Sequence, residues 1–571
     1  MVFPSLEQPR DTYHLLDRFS FPTEDGFHDS IAVSSKSGDY IVAAYSLIVD
    51  AIFLQVWVAL ILLAIVLTNR FGRREKNSFL AEVYYARESI FEVFMVSAYR
   101  IFTDPRVKPI WIGLMWLVVA LLGTALQKAM SVIITPSAHT GNGAPVSFDR
   151  IYIPLPPDDP TLQIVTFELE APAYFRALGT SQVANESTTA NILVDQITLP
   201  GNGPNDSPRL RIDFGYNISS LEFGLQNYQE LKLFMEGSCY TEYGWIAGSA
   251  NEDGIWTDVY NLWGDESKSF SVNSNDAQEP RLYVERRSID PEPSGNNSFV
   301  FIPSTLGRKS FTNSTDPWYK TSNALDERGR ATILNGKPVL VCWQKDWWSY
   351  KDNNATIAKV DELPGLETFA KGLGGVFRNL LINPKVADTA THLGSLALKS
   401  ATTSLGITID GKGSSMLSDL QRILLVSYIS TQNLLLDTTL YPNDTRAVPN
   451  FIDKENRDVA DFIVYGSEIS TLSIRFLIVI PALAIGMLVV VLLLEYWGRE
   501  SIRNFQYQLS KNFVAHYKAT HSAAENGEAV PQNADDNNGA SPAAVESKPG
   551  ATTTTGPAAA TDGPEPDPVR R

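Results

Sequence analysis

Cys239, in GSCYTEYGW, and Cys342, in VLVCWQKDWWSY, are the only cysteines of the chain. A bridge between them would close a loop of about 100 residues and, on the chain-entropy model, contribute about 4–5 kcal/mol. Two buried free thiols, or a bridge to a second chain, are the alternatives. So few cysteines exclude a disulfide-dense scaffold and a four-cysteine zinc site.

Aromatic residues crowd both cysteine segments. Trp245, Trp343, Trp347 and Trp348, with Tyr240, Tyr243 and Tyr350, would cluster around the bridge. Beside Glu242 and Asp346 such faces can stack on sugar rings, although aromatic packing on a disulfide is the commoner arrangement. Read as a strand, LQIVTFELE sets Glu168 and Glu170 on one face. A carboxylate pair does glycosidase chemistry only where a pocket raises one pKa, so a solvated strand surface is the expectation.

The segment Gly406 to Ser414, GITIDGKGS, approaches a phosphate loop but has Gly413 where a magnesium-binding hydroxyl is needed, and reads as a Gly-rich turn. His139 and His392 are the only histidines between the apolar runs described below, which argues against a two-histidine metal motif or a Ser-His-Asp triad. Neither G-x-S-x-G nor H-E-x-x-H occurs. No catalytic residue, cofactor or metal is therefore expected.

The elements that would carry these residues form an α+β region of residues 136–473. Pieces such as RIYIPL, LQIVTFELE, LRIDFGY, RLYVE, FVFIP and VLVCW read as strands and make its first half mainly β. GLETFAKGLGGVFRNLL and MLSDLQRILLVSYISTQNLLL have helical periodicity and make its second half helical.

Three apolar runs flank this region, at residues 40–68, 109–135 and 474–495. Eighteen apolar residues span about 27 Å, enough to cross a bilayer core. Lys and Arg crowd residues 69–108 and the segment after the third run, which puts residues 1–39 outside as a short tail and the carboxyl terminus in the cytosol. All seven Asn-X-Ser/Thr acceptors, at Asn185, Asn205, Asn217, Asn296, Asn313, Asn354 and Asn443, fall between the second and third runs. Only a lumenal or extracellular region can be modified there, so the two signals agree on a glycosylated extracytoplasmic domain.

Asp50 on the first run and Lys128 on the second lie at similar depth. They would form an ion pair near the outer interface, or each reach separately into head groups. Ala482 and Gly486 form a small-xxx-small step on the third run. Residues 69–108 carry an amphipathic stripe through Leu80, Tyr84, Phe91 and Phe94. Residues 496–518 carry a basic one through Ile502, Phe505, Leu509 and Phe513, suited to anionic lipid. Residues 519–571 are rich in Ala, Thr, Pro, Gly and acids, and are expected to be disordered.

A net charge of -17 excludes nucleic acid as a partner. Expected partners are the lipid bilayer, wall or matrix glycans outside, and cytosolic proteins at the tail.

The three-span layout, the sequon-rich domain after the second span, the segments CYTEYGW and VCWQKDWWSY and the low-complexity tail together resemble uncharacterised multipass membrane glycoproteins of filamentous fungi. The resemblance implies residence in the plasma membrane or a secretory-pathway membrane and carries over no functional residue. The leading expectation is a binding, sensing or scaffold protein at the cell surface. A lumenal or extracellular enzyme acting on glycans is second, and a subunit of an oligomeric channel or transporter third.

Overall fold

A computed structural model describes residues 9, 11–71, 84, 91–92, 94–95, 110–155, 160–184, 186–203, 207–253, 255–274, 279–287, 296–402, 408–441, 448–452 and 457–525. The chain divides into two compact units, residues 1–503 and 504–571. In chain order the first begins with strands β1 (Arg18–Thr23) and β2 (Gly26–Ser34), helices α1 (Ser35–Phe71) and α2 (Ile110–Ala138), strand β3 (His139–Gly141) and helix α3 (Pro160–Gln182). Then come strands β4 (Ile192–Asn202), β5 (Pro208–Ser219), β6 (Lys232–Glu242), β7 (Ile246–Glu252), β8 (Ile255–Asn261), β9 (Ser269–Asn273), β10 (Arg281–Arg286), β11 (Asn296–Ser304), β12 (Val339–Tyr350) and β13 (Asn353–Thr356). Helices α4 (Leu373–Leu380), α5 (Lys385–Leu393), α6 (Met416–Gln432) and α7 (Leu434–Asp437) follow, then strand β14 (Ile469–Ser473) and helix α8 (Ile474–Glu525).

The large domain is β-rich and then helical, with one early exception. Residues 160–182, read in part as a strand, are helix α3. Apolar alternation over nine residues fits a strand, but the buried set Leu169, Ala173, Tyr174, Ala177 and Leu178 advances by threes and fours and so lies along one helical stripe. RIYIPL likewise forms no strand beyond an isolated bridge at Pro154.

The central sheet is antiparallel, in the order β10-β11-β12-β6-β5-β4, with β13 added beside β12. Side chains alternate across it with a period of two. Phe299, Phe301, Leu340, Cys342 and Trp348 enter a core shared with α4, α5 and α6. Their neighbours Val300, Ile302, Val339 and Val341 enter a second core with Tyr260 of β8 and Val272 of β9, strands of the smaller sheet β9-β8-β7. β12 is therefore covered on both faces. Cys239 and Cys342, opposite one another on β6 and β12, form the disulfide, with Cα atoms 4.0 Å apart.

A second sheet, β1-β2-β14-β3, gathers the ends of three apolar helices. β2 passes into α1, α2 into β3, and β14 into α8 without an intervening residue. Gly38 lets the first turn of α1 approach β14: a Cβ there would clash with the Ser470 hydroxyl. The expected amino-terminal tail is thus an ordered hairpin across residues 18–34, turned at Gly26 with φ of +125°.

Among the described residues two helical segments are long and apolar enough to cross a membrane, Ser35–Leu67 and Ile474–Glu500, and α2 contains a shorter apolar stretch, Leu117–Met130. α1 packs against α2, and the Tyr45 hydroxyl donates to the Leu477 carbonyl of α8 at 2.9 Å. Of the two alternatives for Asp50 and Lys128, an ion pair or separate reach, the structure has no ion pair between them. Asp50 instead accepts a hydrogen bond from Gln127 at 3.0 Å, while Lys128 is exposed. The neutral amide satisfies the carboxylate without bringing a second charge into the helix pair.

The amphipathic stripe expected over residues 69–108 lies outside the described residues except at its start and at Tyr84, Phe91, Glu92, Phe94 and Met95, which are helical. Residues 496–525 continue α8 as helix, including 519–525 of the expected disordered segment, and residues 526–571 lie outside the described set.

The alternation of β12 separates its tryptophans energetically. Trp348 is fully buried, so Trp348→Ala should cost about 3–5 kcal/mol in denaturant unfolding. Trp347, half-buried on the opposite face, should cost about 1–2 kcal/mol on the same change; equal losses would contradict the assignment of faces.

Candidate functional site

The four tryptophans singled out by sequence do not make one surface. Trp348 packs edge-on to Phe369 and Phe377 in the main core. Trp347 stacks on Phe234 at 5.5 Å, with the Lys345 ammonium over its ring. Trp343, half-buried, points to that same face by alternation, and Trp245 packs against Trp263 beside the second core. Consecutive residues of a strand face opposite ways, so the pair Trp347–Trp348 cannot share a surface.

Of the sequon asparagines, Asn217, Asn313 and Asn354 are exposed, and Asn296 lies in β11. Asn185, Asn205 and Asn443 fall outside the described residues. Of the Gly406–Ser414 segment, residues 408–414 are described, as a short strand and a turn in which Asp410 accepts from the Thr312 hydroxyl and the Lys412 amide. His139 bridges Ser470 and Asn142 in the sheet that gathers the apolar helices. Among the described residues no group of three or more His, Cys, Asp or Glu could hold a metal ion.

The chemistry gathers elsewhere, in a cleft of about 580 Å³ between α3, α5, the end of α7 and strand β10. Helical spacing places the α5 contributors, because Lys385, Asp388 and His392 follow at steps of three and four along one face. On α3 the same rule separates the two acids proposed as a strand pair. Residues two apart on a helix point about 200° apart, so Glu170 lines the cleft while Glu168 is exposed.

Phe167 and Tyr174 stand seven residues apart on α3, about 10 Å along the axis. The slot between them holds the His392 ring, 4.2 Å from each and within 14° of parallel. The His392 Nδ1–H donates to the Asp388 carbonyl at 2.8 Å. Nε2 therefore carries the lone pair, buried, with no hydrogen-bond partner and 3.7 Å from Glu170 Oε2.

The other charges are compensated. Arg286 closes on Asp388, and Arg176 on Asp437 at 2.5 Å. The Lys385 ammonium donates to the Tyr174 hydroxyl at 2.8 Å and lies over the Tyr174 ring. Burial pushes the Glu170 carboxyl up to about 7, against the pull of Lys385. Burial also lowers His392 to about 4, lowers Lys385 and raises Asp437.

The cleft is thus built by an α+β domain attached to apolar helices, from residues about 270 positions apart. Residues 171–464 match the model of a domain of unknown function, DUF8406, and the chain belongs to that family. The match takes in β10, α5 and α7, whereas Phe167 and Glu170 precede it. No curated protein and no solved structure matches the chain.

Sequence reasoning passed over His392, Lys385, Asp388 and Asp437. The available signal was the spacing Lys385-x-x-Asp388-x-x-x-His392, a charged stripe in the segment between the two stretches read as helices.

Buried carboxyls give the domain a pH signature. Glu170, Asp346 and Asp419 are raised to about 7, and Asp316 to about 6, each mainly by burial. A raised carboxyl contributes stability below its unfolded pKa, near 4–4.5, and loses it as pH rises through the folded value. His392, lowered from 6.5 to about 4, acts in the opposite sense over pH 4–6.5. With four carboxyls against one imidazole, the thermal midpoint should be higher at pH 5 than at pH 7, and Glu170→Gln should shrink the difference. A midpoint that rises from pH 5 to 7 would contradict the burial of these acids.

Proposed function

We propose that the chain is a three-pass membrane glycoprotein of the cell surface that binds or senses a small polar ligand in the cleft of its extracytoplasmic domain. The observation that carries this reading is the direct run of three apolar helices into one sheet. β2 and β14 pair with each other, so α1 and α8 leave the same sheet, and α2 ends on it. If α1 and α8 cross the bilayer, a chain that leaves by α1 must return by α2. Two crossings become three by parity.

The basic residues Arg70, Arg73 and Arg74 at the far end of α1, together with sequons confined to residues 185–443, support an amino terminus outside and a carboxyl terminus in the cytosol. The resemblance to multipass proteins of filamentous fungi supports residence in the secretory pathway. With no linker at the three junctions, a change in domain packing reaches the helices directly, which suits sensing.

A glycan-processing enzyme is the second reading, favoured by one observation. Glu170 is held near neutrality, as a general acid requires. Asp388 and Asp437 are each closed onto an arginine, however, which leaves Glu285 of β10 as the other carboxylate of the cleft lining.

Two measurements test the leading reading. Epitope tags at the two termini should be stained differently on intact cells, the amino-terminal one without permeabilisation and the carboxyl-terminal one only after it. The low-molecular-mass fraction of the growth medium should raise the thermal midpoint of the full-length protein but not that of a Glu170→Ala, Lys385→Met double variant. Tags on one side of the membrane, or equal shifts in both proteins, would overturn it.

A further inference from the structure

We infer that the cleft takes an uncharged polyhydroxylated ligand, the end of a neutral sugar, with one ligand hydroxyl held jointly by Glu170 and His392 and the sugar's apolar face on Phe167. This deepens the binding reading above and rests on it. The argument starts from what the cleft leaves unpaired. An anionic ligand needs a cation with no carboxylate of its own, yet Arg286 is closed on Asp388, and the Lys385 ammonium, hydrogen-bonded to the Tyr174 hydroxyl, lies in the field of Asp388 and Asp437. No metal cluster exists among the described residues to bridge an anion instead.

His392 Nε2 is the group without a partner. Its tautomer is set by the bond from Nδ1 to the Asp388 carbonyl and its ring is clamped on both faces, so Nε2 can only accept, along a fixed direction. The nearest polar atom, Glu170 Oε2 at 3.7 Å, is too far for a direct hydrogen bond. The two atoms are close enough for one oxygen to lie within hydrogen-bond distance of both.

Near neutral pH and below, burial keeps the Glu170 proton on, so that the pair presents a donor and an acceptor side by side. A group that only accepts leaves Nε2 empty, and a group that only donates meets the acid proton. A hydroxyl does both. Phe167 supplies the second half of sugar recognition: one face lies on His392, and the ring is 40% exposed, open for stacking. The volume of about 580 Å³ is that of a pocket enclosing a small molecule rather than a single water.

The test uses the full-length protein in lipid nanodiscs and calorimetric titration with glucose, mannose, N-acetylglucosamine, cellobiose and chitobiose as neutral probes. Glucuronate and citrate serve as anionic probes, and glucosamine and spermidine as cationic ones. At pH 5.5 at least one neutral probe should saturate, while glucuronate should not. Its affinity should fall about five- to tenfold by pH 8, as Glu170 ionises and one hydrogen bond is lost.

Glu170→Gln, whose amide always donates, should bind at both pH values with a flat profile. His392→Phe, which keeps the ring stack but removes Nε2, should bind at least about fivefold more weakly. Neutral-sugar binding that is unchanged in both variants would overturn the inference. If a charged probe saturates, the neutral ones do not, and His392→Phe abolishes the binding, the ligand class is wrong while the binding cleft stands. If no probe of any class binds, both readings fall.

Discussion

A single side-chain amide on β12 ties the sheet to the functional helix. Gln344 is fully buried, its Oε1 accepts from the Val386 amide at the start of α5, and its Nε2 donates to both oxygens of Asp346. Every cleft residue on α5 inherits its position from that junction. β12 can host such a polar anchor because its neighbours close it off from water: β6 and β11 on its edges, helices on one face and the smaller sheet on the other. A buried amide in that place is costly unless all its bonds are made, and here the backbone and a carboxyl raised to about 7 by burial make them. The disulfide fastens the same strand to β6 two residues earlier.

From this anchor the cleft follows. α5 is set against α3, and their facing residues trap the His392 ring between Phe167 and Tyr174. The clamp fixes one tautomer and one orientation, the kind of preorganisation that converts an ordinary histidine into a directed acceptor. Pairing of Asp388 and Asp437 with arginines keeps the wall near neutrality although the chain as a whole is strongly acidic.

Some of this was legible in the sequence. Apolar length exposes membrane-crossing candidates directly, and two of the three runs reappear as helical segments long enough to cross. The disulfide was readable because only one pairing within the chain was available, and the passage from strands to helices because periodicity changes near residue 363. What misled was local pattern without its surroundings. LQIVTFELE alternates as well as any strand, and only the continuation to Leu178 shows the helical stripe. The tryptophans looked like a cluster because the bridge draws their two segments together, whereas a strand sends neighbouring residues to opposite faces. For Asp50, charge drew attention to Lys128, while the adjacent amide of Gln127 was the group in reach. The cleft was invisible for a further reason: Glu170 and Asp437 meet only through tertiary packing.

The hairpin β1–β2 and the strand β14 that it pairs with stand at opposite ends of the described domain. The hairpin is made first, and its partner leaves the ribosome more than four hundred residues later. Until then β2 has one edge without a neighbour, and an unpaired edge is open to strand addition by any other chain. The sheet that unites the apolar helices is therefore the last part of the domain to close during synthesis.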